Sequence, residues 1–305
     1  MTLSKLRGVT FALTLALPLA SLPAPHVLAA EAKPVVVLAS LPITYGLGQI
    51  LLKDSGVVLE RAAAANLPGS RQTAYFTGRG AEPLRKLAQN ADAVIGLRSI
   101  WSEDPLYPNA RRSNIRIVEI DAARPVDGAL PGVALQPGQS VDGLNAQPWL
   151  ASHNLGRMAD VLAADLVRLA PTAKPRIEAN LAALKQQLLK LSAQSEQRLA
   201  QADSVAVVSL SPRLDYLIAG LNLERVPQEL PSDEQWSNEA LARLTENLKE
   251  SQVGVVLDHR EPAAPVKAAI EAAGSRVLVV GTESDDPLAD LQNDAAKLVD
   301  ALLQG

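Results

Sequence analysis

From Pro34 onward, short runs of consecutive apolar residues alternate with stretches in which apolar residues return every three or four positions. Val35 to Ala39 is the first run, and a strand that is apolar at every position is one covered on both faces. Leu47, Ile50 and Leu51 follow at helical spacing until Asp54, Ser55 and Gly56 stop the element. Val57 to Leu59 predicts a second strand. Residues 81–90 predict a helix with Leu84 and Leu87 inward, and strands are expected at Ala93–Leu97 and Ile115–Ile120. A β-α-β-α-β order implies a parallel sheet with helices on its faces.

Residues 124–146 are rich in Pro and Gly, have no clear period, and are expected to be a surface connection. Two helical patterns follow. The first, from about Leu150 to Leu169, places Leu155, Met158, Leu162, Leu166 and Leu169 on one face. The second starts near Pro175, a residue suited to a first helical turn. Its stripe is Ile177, Leu181, Leu184, Leu188 and Leu191, and helical character extends to about Ala202. Such a helix is on the order of 40 Å long, enough to bridge two domains. A coiled-coil dimer would use the same stripe, but the pattern breaks at Ser195. Intramolecular packing, and so a monomer, is expected.

The α/β order then restarts. Val205–Leu210, Val253–Leu257 and Val277–Val280 read as buried strands, with helices at about 237–250, 263–273 and 287–303. The predicted fold class is α/β: two parallel-sheet lobes joined by a long backbone helix. The expected organisation is a first lobe over 33–148, middle helices over 149–203 and a second lobe over 204–305. Ligands of open α/β sheets sit beyond the carboxyl ends of the strands, which here directs attention to a cleft between the lobes.

The first 32 residues differ from the rest. Lys5 and Arg7 precede an apolar stretch from Val9 to about Leu22, and small residues close the segment at Ala29, Ala30 and Ala32. This is the form of a secretory signal, with cleavage after any of those three alanines, and it implies a periplasmic location. Pro18 and Pro23 interrupt the run, which is shorter than the ~20 residues of a membrane span. The 305-residue chain has no cysteine, so it is not a lipoprotein, and disulfides, zinc–thiolate sites, iron–sulfur clusters and thiol nucleophiles are excluded. The net charge is −4; losing Lys5, Arg7 and Glu31, a net +1, leaves about −5. No basic surplus points to nucleic acid.

Enzyme motifs are thin. Gly78-Arg79-Gly80 lacks the third glycine of a dinucleotide fingerprint, and no Walker loop, G-x-S-x-G or H-E-x-x-H occurs. After the leader only His153 and His259 remain. His153 reads as an exposed first-turn residue. His259 follows a buried strand, a position that faces a ligand in this architecture, although a solvated loop is the preferred reading. Glu103-Asp104 and Asp285-Asp286 read as caps or solvated helix starts, and Trp101 and Trp149 as packing between elements. No catalytic residue is assigned.

The order of segments resembles a known family. Val37-Leu38-Ala39-Ser40-Leu41-Pro42-Ile43, the loop Leu67-Pro68-Gly69-Ser70-Arg71-Gln72-Thr73-Ala74-Tyr75, and Leu84 to Leu97 occur in sequence. Pro148-Trp149-Leu150 with Asn154, and Ser211 to Leu221 with Tyr216, complete the series. Together they resemble the periplasmic solute-binding proteins of zinc and manganese ABC transporters (ZnuA-like) across nearly all of the chain after the leader. The resemblance implies a receptor that holds a metal-related ligand, an ion or a chelate, between its lobes and delivers it to an ABC permease. It implies zinc or manganese as cargo. The family holds its ion mainly with histidines and one carboxylate. Carried over, the first histidine falls on Thr73, in the motif that ends at Tyr75, the second on Gln147 and the third on about Ser211. The carboxylate falls on Glu283 or a neighbour. Neutral oxygens therefore replace imidazole, which suits a bare transition-metal ion poorly. A pocket of Thr73, Tyr75, Gln147, Ser211, His259 and Glu283 would instead hydrogen-bond a polar solute. Arg71 and Arg213, on the same predicted loops, would favour an anionic ligand such as a carboxylate-bearing chelate. The other reading is an accessory protein that kept the fold, docks a partner and binds no free ion.

Overall fold

The computed structural model describes residues 33–128, 130–133, 135–136, 147–231, 236–281 and 284–304. The expected leader and most of the Pro/Gly-rich connection lie outside them.

Elements of the first half follow in the order β1 (Val36–Ala39), α1 (Pro42–Leu52), β2 (Val58–Arg61), α2 (Gly69–Thr77), α3 (Ala81–Asn90), β3 (Ala93–Gly96), α4 (Leu106–Arg111) and β4 (Val118–Asp121). All strands are parallel, in the spatial order β2-β1-β3-β4, with Val37 opposite Val58's neighbour Leu59 on one side and Ala93 on the other. The two central strands, VVLA and AVIG, are buried at every position, as their unbroken apolar runs require. The edge strands carry Glu60, Arg61, Glu119 and Asp121 because an edge has one solvated flank.

A short 3-10 turn at Pro148–Leu150 leads into α5 (Ser152–Leu169) and then α6 (Lys174–Leu199). The 26 residues of α6 extend about 39 Å. Ile177, Leu184 and Leu188 are buried, as the stripe predicts. At one end of α6, Asn180 donates from Nδ2 to the carbonyls of Leu51 (3.0 Å) and Lys53 (2.8 Å), satisfying the last turn of α1. Near its other end, Arg198 bonds Asp300 of the C-terminal helix at 2.5 Å. The long helix thus makes polar contacts with both halves.

The second half repeats the first: β5 (Ala206–Ser209), α7 (Asp215–Gly220), β6 (Glu224–Arg225), α8 (Asn238–Glu250), β7 (Val255–Asp258), α9 (Ala264–Ala272), β8 (Arg276–Val279) and α10 (Pro287–Leu303). Its parallel order is β6-β5-β7-β8. One continuous apolar core runs from Val37 and Ile95 through Leu155, Met158, Ile177 and Leu184 to Val207, Leu257 and Leu298. Smaller clusters cover the far face of each sheet, around Phe76 and Leu106 and around Leu244 and Ile270. Trp101 and Trp149 both belong to the continuous core. Among the described residues, no helix is long and apolar enough to cross a membrane.

Candidate ligand site between the lobes

In each sheet the chain reverses its direction of growth between two central strands, β1 and β3 in the first, β5 and β7 in the second. The carboxyl ends of those strands are where this architecture leaves a crevice. Beyond β1 lie Ser40 to Ile43; beyond β5 and β7 lie Ser211 and His259.

A cavity of about 150 Å³ opens beside the first of these points. Leu41, Ile43, Leu67 and Trp149 wall it from one side and Pro287 from the other, so it forms where α10 of the second lobe meets the first. Its polar lining is Asn66, Gln147, Ser284 and Asp290. Gln147 is 1% exposed, and its Oε1 has no hydrogen-bond partner. Two further buried oxygens, at the end of β1 and on the α2 side chain bonded to it, share that condition. Gln72, fully buried, donates from Nε2 to the Ser40 carbonyl at 3.1 Å, yet Gln72 Oε1 and Ser40 Oγ are unpartnered. An orphaned buried acceptor costs roughly 1–3 kcal/mol, so three around one strand end are an uncommon arrangement.

The residues expected at the site are not gathered in this cavity. Gln147 lines it. Thr73 is exposed on the outer face of α2, because Gly69, Gln72 and Phe76 form that helix's buried stripe and position 73 lies about 100° from 72. The sequence reading treats 67–75 as a loop; the structure makes Gly69–Thr77 a helix, and Gln72 is the inward residue it overlooks. The i, i+3, i+7 spacing of Gly69, Gln72 and Phe76 was the available signal. Tyr75 is a packing residue: it meets Phe76 edge-on at 5.3 Å, Arg79 covers its ring at 5.6 Å, and a Cβ at Gly80 would lie 2.3 Å from the ring. Arg71 is exposed on α2.

Ser211 is buried and engaged in its own turn. Its Oγ accepts from the Arg213 backbone N–H (3.4 Å), and its carbonyl accepts from Ser209 Oγ (2.8 Å). His259 Nδ1 stands 3.0 Å from Asp258 Oδ1 without hydrogen-bond geometry, while the His259 backbone N–H donates to that oxygen at 2.7 Å. Burial lowers the His259 pKa, and the charges of Arg213 and Arg260 lower it further against the pull of Asp258. Glu283 lies outside the described residues. Its neighbours have structural tasks: Asp285 pairs with Arg61, Asp286 caps α10 by accepting from Ala289 (3.0 Å), and Asp290 accepts from Ser284 (3.1 Å). Among the described residues, no three His, Cys, Asp or Glu side chains gather as a metal site.

The family model for the periplasmic zinc-uptake complex component A, ZnuA, matches residues 72–303. The chain belongs to this family. No curated protein matches it by sequence. Its fold is similar to a crystal structure of ZnuA (20% identity, TM-score 0.66, covering 88% of this chain and 99% of that one). It is similar to the Zn(II)-bound ZnuA-like domain of Streptococcus pneumoniae AdcA (18%, TM-score 0.67, 88% and 99%). It is similar also to a FpvC mutant from Pseudomonas aeruginosa (18%, TM-score 0.69, 89% and 100%). At these identities the likeness is one of fold. The ZnuA-family fold expected from the sequence, two parallel-sheet α/β lobes on a long helix, is the fold the chain has.

Proposed function

We propose that this ZnuA-family chain is the periplasmic solute receptor of an ABC importer, that it holds its cargo between the two lobes, and that a permease is its partner. The observation that carries the reading is the buried, unpartnered Oε1 of Gln147 on the wall of the interlobe cavity. A protein that only docked a partner would gain nothing from sealing an unsatisfied acceptor inside, whereas a receptor leaves such a group for its ligand.

The family name and the zinc-bound AdcA domain suggest a metal-related cargo. The residues here do not fit a bare zinc or manganese ion. Gln147 offers one neutral oxygen, Thr73 faces outward, and Ser211 is occupied by its own turn. Imidazole or several carboxylates would be needed. The metal is therefore expected as a preformed chelate. Native mass spectrometry of protein taken from periplasm, followed by calorimetry with zinc, manganese and chelated metals, tests this. A chelate should be retained and free ions should bind more weakly than micromolar. Specific zinc binding below micromolar would mean that the ligand residues are others.

The accessory reading draws support from the same outward Thr73 and self-bonded Ser211, since two of three family ligand positions do not reach the cavity. It predicts that no small molecule accompanies the protein from periplasm and that the protein binds permease without cargo.

A further inference from the structure

The poor fit to a bare ion raises the question of what the cavity does fit, given the reading that cargo binds there. Its polar side chains are Asn66, Gln147, Ser284 and Asp290, and the one formal charge among them is the negative charge of Asp290. Gln147 Oε1 is buried and unpartnered, and Asp290 brings a carboxylate whose Oδ2 also takes the Ser284 N–H. Among the described residues, no lysine, arginine or histidine lines the cavity. Arg61, whose ion-pair partner Asp285 is two residues before Pro287 of the cavity wall, pairs with Asp285, donates to the Ala63 carbonyl and lies over the Tyr45 ring; its Nη2 is buried without a partner, and it is not among the residues that line the cavity. Leu41, Ile43, Leu67, Trp149 and Pro287 supply apolar wall. An anion here would meet the Asp290 carboxylate, with no cationic side chain among the described lining residues to offset it.

We propose that this cavity takes a hydrogen-bond-donating organic cation: a protonated amine on an apolar body of about six heavy atoms, the size of benzene, which an apolar cavity of similar volume accommodates. An ammonium group has three N–H donors and no acceptor. It satisfies the Gln147 oxygen, neutralises Asp290 and leaves its carbon body against the aliphatic and indole walls. The same chemistry has two sources. It can be a free small ammonium, or the amine-bearing arm of a larger chelate whose metal stays outside a cavity too small for it.

Calorimetry on the leaderless chain tests the proposal with n-butylammonium, with butyrate as the carboxylate of matching shape, and with the zinc complex of lysine-derived nitrilotriacetate, which carries a pendant butylammonium arm. Butylammonium should bind at least tenfold more tightly than butyrate. Asp290→Asn and Gln147→Leu should each weaken it about tenfold, with melting curves reporting their folding. The comparison of the two probes on the unmodified protein needs no variant. Tighter binding of the pendant-arm chelate than of butylammonium identifies a chelate arm; equal or weaker binding identifies a free cation. Equal affinity for butylammonium and butyrate, or binding of neither, overturns the ligand class. Should an amine-free metal chelate still bind in that case, the receptor reading stands alone.

Discussion

Arg61 and Asp285 are 224 residues apart in sequence and form an ion pair between the end of β2 and the segment that leads into α10. The guanidinium also donates from Nε to the Ala63 carbonyl at 3.0 Å and lies 4.7 Å above the Tyr45 ring. Arg61 is mostly buried and Asp285 about a third exposed, so attraction is only partly screened. The pair ties the first lobe to the wall of the interlobe cavity. Arg61→Gln and Asp285→Asn should each lower stability, and a double-mutant cycle in urea should return a coupling of about 1 kcal/mol. A coupling of zero would mean that the two groups act independently.

Gly46 of α1 sets how closely that wall approaches. A Cβ there would fall 2.4 Å from the Asp285 carbonyl oxygen and 2.5 Å from Pro287 Cδ. Neither the backbone oxygen nor the proline ring can swing aside. Gly46→Ala gains helix propensity of up to about 1 kcal/mol but forces the lobes apart, and overpacking of this kind costs about 1–3 kcal/mol. The expected outcome is a lower melting temperature with faster amide exchange at 284–290. A variant as stable as the parent would show that this contact is loose in solution.

Much of the scaffold was legible because its periods are strong. The four central strands are built on apolar runs of three or four residues, and the α6 stripe of Ile177, Leu184 and Leu188 repeats often enough to show its helix. The six-residue helices α4 and α7 are too short to display a period. The site was harder to read. Its acceptor Gln147 came from family likeness, but the partnership of Leu41, Trp149 and Asp290 depends on lobes meeting across long sequence separations. Local pattern holds no record of that. In α2 the segment from Leu67 to Tyr75 was read as a loop through family likeness, and a buried glutamine hid the inward face from any search for apolar residues.

Asp294 gives the fold a pH dependence of unusual sign for a carboxylate. Burial, then the neighbouring charge of Asp290, pushes its pKa from 3.8 to about 7, against Lys297 and the Gly281 N–H. Its Oδ2 has no partner. Between those two values the folded chain holds a proton that the unfolded chain has released. The contribution is therefore complete below about pH 4 and is lost as pH rises through about 7. Asp294→Asn should raise the melting temperature at pH 8, by a stabilisation of at most about 4 kcal/mol, and much less at pH 5. Melting curves of both proteins across that range check this; parallel pH profiles would exclude Asp294 as the group responsible.

Thr73 and Gln72 are adjacent, and the helix that contains them makes opposite predictions for the two. Thr73 is the counterpart of a family ligand position, yet it faces solvent, and its carbonyl accepts from Thr77 Oγ1 one turn on (2.9 Å). Thr73→Ala should change stability by less than about 0.5 kcal/mol and leave cargo retention unaltered. Gln72 ties α2 to the end of β1 through the Ser40 carbonyl and fills space in the core beside it. Gln72→Ala removes that hydrogen bond and leaves a void, which together should cost about 2–3 kcal/mol in urea denaturation. The loosening of α2 should also weaken whatever binds beside Ser40 and Leu41, since the loop entering α2 forms one wall of the cavity. If instead Thr73→Ala abolished cargo retention while Gln72→Ala was silent, α2 would have to be rotated by about one residue, returning the family position to the cleft.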